Sequence, residues 1–377
     1  MQPEMAGIYI HIPFCKQACN YCNFHFSTQI KNAAQMTCAI VKEMELRKDY
    51  LTEPIDTVYF GGGTPSVIEE KDLDKIFEQI YKLFSVHPNA EITLEANPDD
   101  ISKAKLSFFK KININRLSIG VQSFLENDLL LMHRAHNAKQ AIGSVKMAQD
   151  AGFHNITIDL IYGTPTLSDE QWKYNVDTAF RLNVPHLSCY ALTIEPRTVL
   201  ANHILKGKAE NIDPEKQSRH FELLMQWVRE AGWEHYEISN FAKPGYRSIH
   251  NSNYWKGAFY LGLGPSAHSY NGVSRQWNVA NNSLYIQSLT KEIVPFEIEY
   301  LSPVQQWNEY IMTALRTCEG IALRRVREKW GNAAQKKLLT EAGKWMRSGK
   351  MICEKDFLKL TDAGKLFADG IAAELFG

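Results

Sequence analysis

The 377-residue sequence has no excess of charge of either sign, with 42 Lys and Arg against 42 Asp and Glu. Chains devoted to nucleic acid usually show a basic excess, so this balance argues against that class while leaving room for a local basic patch. No apolar run approaches the roughly 20 residues that span a bilayer. Met1-Gln2-Pro3-Glu4-Met5 lacks a basic segment followed by an apolar core, so no export signal and a cytoplasmic location are expected. Cysteine is scarce, and its total of 7 is odd, which suits a disulfide framework poorly. There is no Walker loop, no G-x-G-x-x-G, no long-period repeat and no low-complexity tract. The remaining composition, 45% hydrophobic and 22% charged, is that of a globular chain long enough for two domains.

Against this background three cysteines fall close together, after the short apolar run Ile8–Ile12. Cys15, Cys19 and Cys22 are spaced C-x3-C-x2-C and offer three thiolates to one metal centre. A closed structural zinc site takes four ligands. A 4Fe-4S cluster is usually held by four cysteines, one per iron. With three, one iron is open to a nitrogen or oxygen donor of a small molecule. Zinc completed by His11 or His25, and disulfide pairing, are the alternatives at this point. A c-type haem attachment is excluded, because Asn23 follows Cys22 and no C-x-x-C-H occurs. Cys38, Cys189, Cys318 and Cys353 stand singly and are expected to be small buried hydrophobes.

Short β-branched runs alternate with longer helical patterns, which predicts parallel βα units. Strands are expected at Ile8–Ile12, Thr57–Phe60, Glu91–Glu95, Arg116–Gly120, Asn155–Tyr162 and His186–Leu192. Leu73, Ile76, Phe77, Ile80 and Phe84 recur at helical spacing. Ser168-Asp169-Glu170-Gln171 reads as a capping box, and Asp213-Pro214 as a helix start. Six units do not close an eight-stranded barrel. The expected fold class is α/β, a partial (β/α)6 barrel over residues 1–238. Residues 239–300, rich in Asn, Gly, Ser, Tyr and Trp over 239–283, are expected to form a loop-rich extension with a strand at Phe259–Leu263. Residues 301–377 are expected to form a small, mainly helical, winged-helix-like domain. Its helix start is at Ser302-Pro303-Val304-Gln305, its hairpin near Met351–Thr361 and its last helix over Ala363–Leu375. With no basic excess, this domain reads as a packing module.

Parallel barrels place functional residues where strands end. The cysteines follow the first strand and Gly61-Gly62-Gly63-Thr64-Pro65 the second. Glu95-Ala96-Asn97-Pro98 ends the third, and Gln122 follows the fourth. Asp159 lies in the fifth, and Tyr190-Ala191 ends the sixth. All therefore share one rim. Glycines there let backbone approach a ligand. Glu95, Gln122 and Asp159 can bond hydroxyl or amine groups, as a ribose or an amino acid would need.

The cysteine spacing after an N-terminal strand resembles the signature of radical S-adenosylmethionine (SAM) proteins. Further motifs narrow the resemblance: Tyr9-x-His11-Ile12-Pro13-Phe14-Cys15, Gly61–Pro65, Gly120-Val121-Gln122-Ser123-Phe124, His133-Arg134-x-His136-Asn137 and Asp159-Leu160-Ile161-Tyr162-Gly163-x-Pro165. In this order they are similar to the oxygen-independent coproporphyrinogen III oxidase family, from about Tyr9 to the C-terminus. The resemblance implies a 4Fe-4S cluster on Cys15, Cys19 and Cys22, with SAM on the open iron. It places Tyr9, Tyr21, Gly62, Gly63, Thr64, Glu95, Gln122, Arg134, Asp159 and Ala191 around SAM, with contacts to a second SAM among them. Arg134 has the fork to pair with a carboxylate, and Asp159 can accept from ribose hydroxyls.

Two departures set the sequence apart from the oxidases. They carry a fourth cysteine two residues after the third, where this chain has Phe24. They also carry a longer arm ahead of a motif that here begins at residue 15. Both point to a sister branch of haem chaperones, whose H-N-x-x-Y-W stretch is similar to His250-Asn251-Ser252-Asn253-Tyr254-Trp255. That resemblance implies haem and haem-acceptor proteins as partners. Neutral imidazole is a good axial ligand, so His250 is the candidate, with His268 as its rival. Tyr254 and Trp255 can cover a porphyrin face, and Asn251 can bond a ring nitrogen or propionate. The expected function is haem binding and transfer, with radical-SAM decarboxylation of propionates as the alternative.

Overall fold

The computed structural model describes residues 5–377 and divides the chain into two compact units. The first comprises residues up to 221 together with 258–299; the second comprises 222–257 and 300–377. In the first unit, six strands alternate with helices. They are β1 (Ala6–Ile12), β2 (Ile55–Gly62), β3 (Val86–Ala96), β4 (Arg116–Gln122), β5 (Asn155–Tyr162) and β6 (His186–Ala191). The helices are α1 (Ala33–Leu46), α2 (Glu70–Leu83), α3 (Lys103–Lys111), α4 (Glu126–Leu131), α5 (Ala138–Asp150) and α6 (Asp169–Arg181). Each strand pairs in parallel with the next. The six expected strands are all present, β3 beginning earlier than its sequence pattern suggested. The other side of β1 pairs in parallel with Phe259–Leu263, which continues through antiparallel strands at His268–Tyr270 and Ser274–Asn278. The barrel is therefore partial.

The two faces of the sheet differ in chemistry because side chains alternate along a strand. Ile8, Ile10, Ile12, Val58, Phe60, Ile92, Leu94, Leu117, Ile119, Ile158 and Leu160 are buried. Beneath the helices they meet apolar stripes such as Leu73, Ile76, Phe77 and Ile80 of α2. Burying one such side chain contributes about 1.5–3 kcal/mol. The alternate positions carry polar groups, among them Thr57, Tyr59, Glu91, Thr93, Glu95, Arg116, Ser118, Thr157, Asp159, His186 and Ser188. Ser168 caps α6 in a reciprocal capping box with Gln171, as its sequence predicts. Asp213 caps the helix Pro214–Glu230 by accepting from Glu215 N at 2.9 Å.

Residues 239–300 are not loop-rich. They hold strands at Asn240–Ala242, Phe259–Leu263, His268–Tyr270 and Ser274–Asn278, and helices at Ile249–Lys256 and Asn282–Leu289. The segment is also divided between the two units rather than forming one extension. The scattered cysteines divide too. Cys189 is buried and Cys318 half-buried, but Cys38 and Cys353 are exposed. Cys38 sits on the solvent stripe of α1, and Cys353 in a hairpin strand whose last three residues all face outward.

In the second unit a capping box of Ser302 and Gln305 opens the helix Pro303–Leu315. Strand Ile321–Ala322, helix Leu323–Arg347 and the hairpin Met351–Glu354/Phe357–Leu360 follow. Gly331, at φ 88°, breaks the long helix in two. Helix, strand, two helices and a hairpin is the winged-helix order. The core beneath them holds Trp307, Ile311, Leu315, Val326, Leu338, Leu358 and Ile371. The final helix is interrupted near Leu366 and Phe367 into Asp362–Lys365 and Ala368–Glu374. Among the described residues no helix is long and apolar enough to cross a membrane.

Candidate functional site

The cysteine loop leaves the end of β1 and is fastened at several points. Cys15 N donates to Ser27 O at 3.0 Å, and Ser27 N returns a bond to Pro13 O at 2.9 Å. Asn20 N donates to Met132 O at 3.1 Å, while Gln17 Nε2 donates to His133 O at 2.8 Å. Lys16 pairs with Asp99 at 3.2 Å and with Asp100. The three thiols are half-buried. Burial pushes the Cys15 thiol up to about 11, against the Thr64 hydroxyl that donates to it; burial likewise raises Cys22. Repulsion from the neighbouring cysteines adds to both.

One hydrogen-bonded chain joins two of these thiols. Arg134 Nη1 donates to Cys19 Sγ at 3.1 Å, and Nη2 donates to Asn97 Oδ1 at 2.5 Å and Gly120 O at 2.7 Å. Asn97 Nδ2 donates to Thr64 Oγ1 at 3.0 Å, and Thr64 Oγ1 donates to Cys15 Sγ at 3.5 Å. The fork of Arg134, expected to meet a ligand carboxylate, is thus occupied by protein groups. Tyr21 packs with Met132, Ile161, Leu192 and Leu200. Its hydroxyl lies in the field of Arg134, Cys19, Cys22 and Asp159, and burial raises its pKa.

Among the described residues, no three His, Cys, Asp or Glu side chains converge as ligands of a single metal ion. The zinc alternative needs such a point. His11 and His25 are engaged elsewhere: His11 Nε2 donates to His25 O at 2.9 Å, and His25 Nε2 meets Asn282 Oδ1 at 2.7 Å. The three thiols lie in one another's field and are soft donors of the kind a multi-iron cluster takes.

The polar face of the sheet supplies the rest. Within otherwise buried β1 and β4, Tyr9 and Gln122 are the half-buried positions. Glu95, Asp159, Gly62, Gly63 and Ala191 are also half-buried, and Thr64 is buried. Gly62, Gln122 and Ala191 end their strands and Gly63 and Thr64 follow β2, so these SAM candidates line a strand-end mouth, while Tyr9, Glu95 and Asp159 project from within their strands. Deeper, Arg116 Nε approaches Glu91 at 3.8 Å, Arg116 bonds Thr157, and Thr157 Oγ1 meets His186 Nδ1 at 3.1 Å. These groups form a polar floor.

Above it, Tyr59 OH donates to Glu95 Oε1 at 2.8 Å and Ser118 Oγ donates to Asp159 Oδ1 at 3.3 Å. Burial raises Glu95 to about 7, opposed by the Tyr59 hydrogen bond and aided by Asp159. Burial raises Asp159 to about 6, opposed by Arg116 and by Ser188 and Ser118. Tyr9 OH donates to His11 Nδ1 at 3.2 Å, which leaves Nε2 of that ring as the protonated nitrogen. Burial lowers His11 to about 4, so the ring is neutral at pH 7. Gly62, at φ +105°, leaves no room for a side chain: a Cβ would stand 2.6 Å from the His11 ring.

Sequence reasoning did not single out Tyr59, Asn97, Arg116, Ser118 or Ser188 as individual site residues. The signal was present as period-two polar alternation inside strands otherwise rich in Ile, Leu and Val.

The H-N-x-x-Y-W stretch lies on the helix Ile249–Lys256, in the second unit. Ser248 caps it by accepting from Asn251 N, and Gly257 ends it in the left-handed region. His250/Tyr254 and Asn251/Trp255 are each four apart and so stack along the helix. His250 is 2% exposed, with Nε2 2.9 Å from Tyr254 OH. Iron ligation through that nitrogen requires this contact to break. Asn251, Tyr254 and Trp255 are half-buried. His268 lies in the first unit, exposed, beside Trp277 at 6.2 Å between ring centres.

Residues 9–179 match the Radical SAM superfamily and residues 301–367 the HemN C-terminal domain. The chain is 32% identical to the heme chaperone HemW of Bacillus subtilis over 377 residues, 99% of this chain and 100% of that protein. It is 32% identical to the heme chaperone HemW of Mycobacterium tuberculosis over 383 residues, 100% and 96% of the two chains. The coproporphyrinogen III oxidase HemN from Escherichia coli, a radical SAM enzyme, has the same fold. Its TM-score is 0.86 over 99% of this chain and 90% of that one, at 20% identity.

Proposed function

The chain belongs to the heme chaperone HemW family of radical SAM proteins, and from that membership and the chemistry of the site we propose that it binds haem and delivers it to acceptor proteins. In this reading Cys15, Cys19 and Cys22 hold a 4Fe-4S cluster, and SAM occupies the mouth lined by Tyr9, Tyr21, Gly62, Gly63, Thr64, Glu95, Gln122, Arg134, Asp159 and Ala191. A cluster with three thiolates supplies one iron without a protein ligand, the position SAM takes and the entry point for one-electron chemistry. The protein's own part is placement. Arg134 and Thr64 donate to two of the sulfurs. Glu95 and Asp159 offer acceptors to ribose hydroxyls or to an amine. Gly62 and Gly63 let the backbone approach the ligand. His250, Asn251, Tyr254 and Trp255 form the haem helix. The cytoplasm, a reducing compartment, suits a chain whose 7 cysteines are all free.

The observation that carries the chaperone reading over decarboxylation is Phe24. It stands where the oxidases place a fourth thiol, and it is 70% exposed. Its side chain offers no ligand.

The test pairs two measurements on one anaerobic, iron-reconstituted preparation. Haem binding is followed by its Soret band, and coproporphyrinogen III is incubated with SAM and a reductant. Stable haem binding that weakens in His250→Ala, without decarboxylation, is expected. Efficient release of carbon dioxide from the propionates overturns the reading. Haem binding unchanged in His250→Ala removes the ligand role of His250.

A further inference from the structure

The haem helix ends on a donor that has nothing to bond. The indole Nε1–H of Trp255 is shut off from solvent and has no acceptor. Over the same ring, 5.5 Å from its centre, lies the guanidinium of Arg316, the residue that ends the helix Pro303–Leu315. Arg316 Nη1 donates to Asp369 Oδ1 at 2.5 Å. Its Nε is buried and also lacks an acceptor. Glu237 lies in the field of Arg316 but is bonded by Asn240 instead.

Buried N–H groups are nearly always paired, so two unpaired donors side by side call for an acceptor. Guanidinium binds carboxylate best through two parallel N–H bonds. With Nη1 taken by Asp369, the edge formed by Nε and Nη2 is the fork left to Arg316. A planar carboxylate fits it, and the indole N–H adds a third donor.

We propose that Arg316, together with the indole N–H of Trp255, is the subsite that takes a propionate carboxylate of the haem carried by the Ile249–Lys256 helix. The inference rests on the haem reading above and adds a cation that the H-N-x-x-Y-W stretch does not contain. Both donors are closed to water in this structure, so the Trp255 and Arg316 side chains move apart as the carboxylate enters.

The experiment compares ferric haem with its dimethyl ester, in which both propionates are esterified. Each is titrated into the full chain and followed by the Soret band. Wild type is expected to bind the free acid about tenfold more tightly than the ester, as one charge-assisted pair gives. Arg316→Met is expected to lose that factor for the free acid and to leave ester affinity unchanged, which also reports an intact fold. Arg316→Lys keeps the charge without the fork and is expected to fall between them. Equal affinity of wild type for acid and ester overturns the proposal, and so does an equal loss for both ligands in Arg316→Met. Wild type that binds neither porphyrin overturns the haem reading itself.

Discussion

Glu95→Gln isolates the electrostatic strain of the site. The carboxyl of Glu95 accepts from Tyr59 OH at 2.8 Å and sits in the field of Asp159, and burial raises it from 4.5 to about 7. The folded chain therefore holds the proton more tightly than the unfolded chain. Stability from this group is complete below pH 4.5 and is lost as pH rises through about 7. The displacement corresponds to about 3 kcal/mol. Asp159, raised from 3.8 to about 6, acts with the same sign at lower pH. Asp159 is among the causes that raise Glu95, so the two effects sum to less than two independent shifts. Glutamine keeps an oxygen acceptor for Tyr59 and cannot ionise. Urea unfolding of the cluster-free protein at pH 5, 6.5 and 8 is the assay. Wild type and variant should lie within about 1 kcal/mol of each other at pH 5, and at pH 8 the variant should be the more stable by about 2–3 kcal/mol. Parallel curves across the range would refute the strained-carboxylate account.

Gly62→Ala forces a side chain onto a φ of +105° and into the His11 ring, 2.6 Å away, so a loss of about 2 kcal/mol is expected in thermal unfolding. An unchanged midpoint would show that the β2 turn can move aside. Arg134→Met leaves Gly120 O and Asn97 Oδ1 without their donor and removes the cation beside Cys19. Stability should fall by about 2 kcal/mol or more, and iron retained after reconstitution should drop. Full iron retention would show that the loop holds its sulfurs without Arg134.

The strands and caps were legible because their signals are local. Ser168 and Gln171, or Ser302 and Gln305, meet within one helical turn, and the β-branched runs mark β1 to β6 directly. The rim was legible because strand ends in a parallel barrel share a side. The polar floor was not. Arg116, Thr157 and His186 lie on three different strands, and only the register of β4 with β5 and of β5 with β6 brings them together. The helix Ile249–Lys256 was hidden for another reason. Its Asn and Ser content has the composition of a loop, and the stretch is a helix bounded by the caps Ser248 and Gly257. The division of 239–300 between two units depends on which surfaces those short elements meet, and no periodicity records that.

The His133-Arg134-x-His136-Asn137 run shows how a stretch used for resemblance resolves into separate physical tasks. His133, at φ 56°, turns its ring to Ala18 O at 2.9 Å and so pins the cysteine loop. Arg134 bonds Cys19 and Gly120 O. His136 Nε2 donates to Val121 O at 3.0 Å, and burial with the Arg134 charge lowers its pKa to about 4, so it donates as a neutral ring at pH 7. Asn137 caps α5 in a reciprocal box with Gln140. Two of these four residues hold consecutive carbonyls at the end of β4, Gly120 and Val121. The next residue, Gln122, sits at φ +67°, a conformation that costs energy for a non-glycine residue. The clamp on its neighbours is what sustains it. The substitutions are therefore not equivalent. A change at Asn137 weakens a helix start, a change at His136 releases Gln122, and a change at Arg134 does both that and the loss of a sulfur contact. The sensitivity of the mouth should rank in that order, with Arg134 the most sensitive.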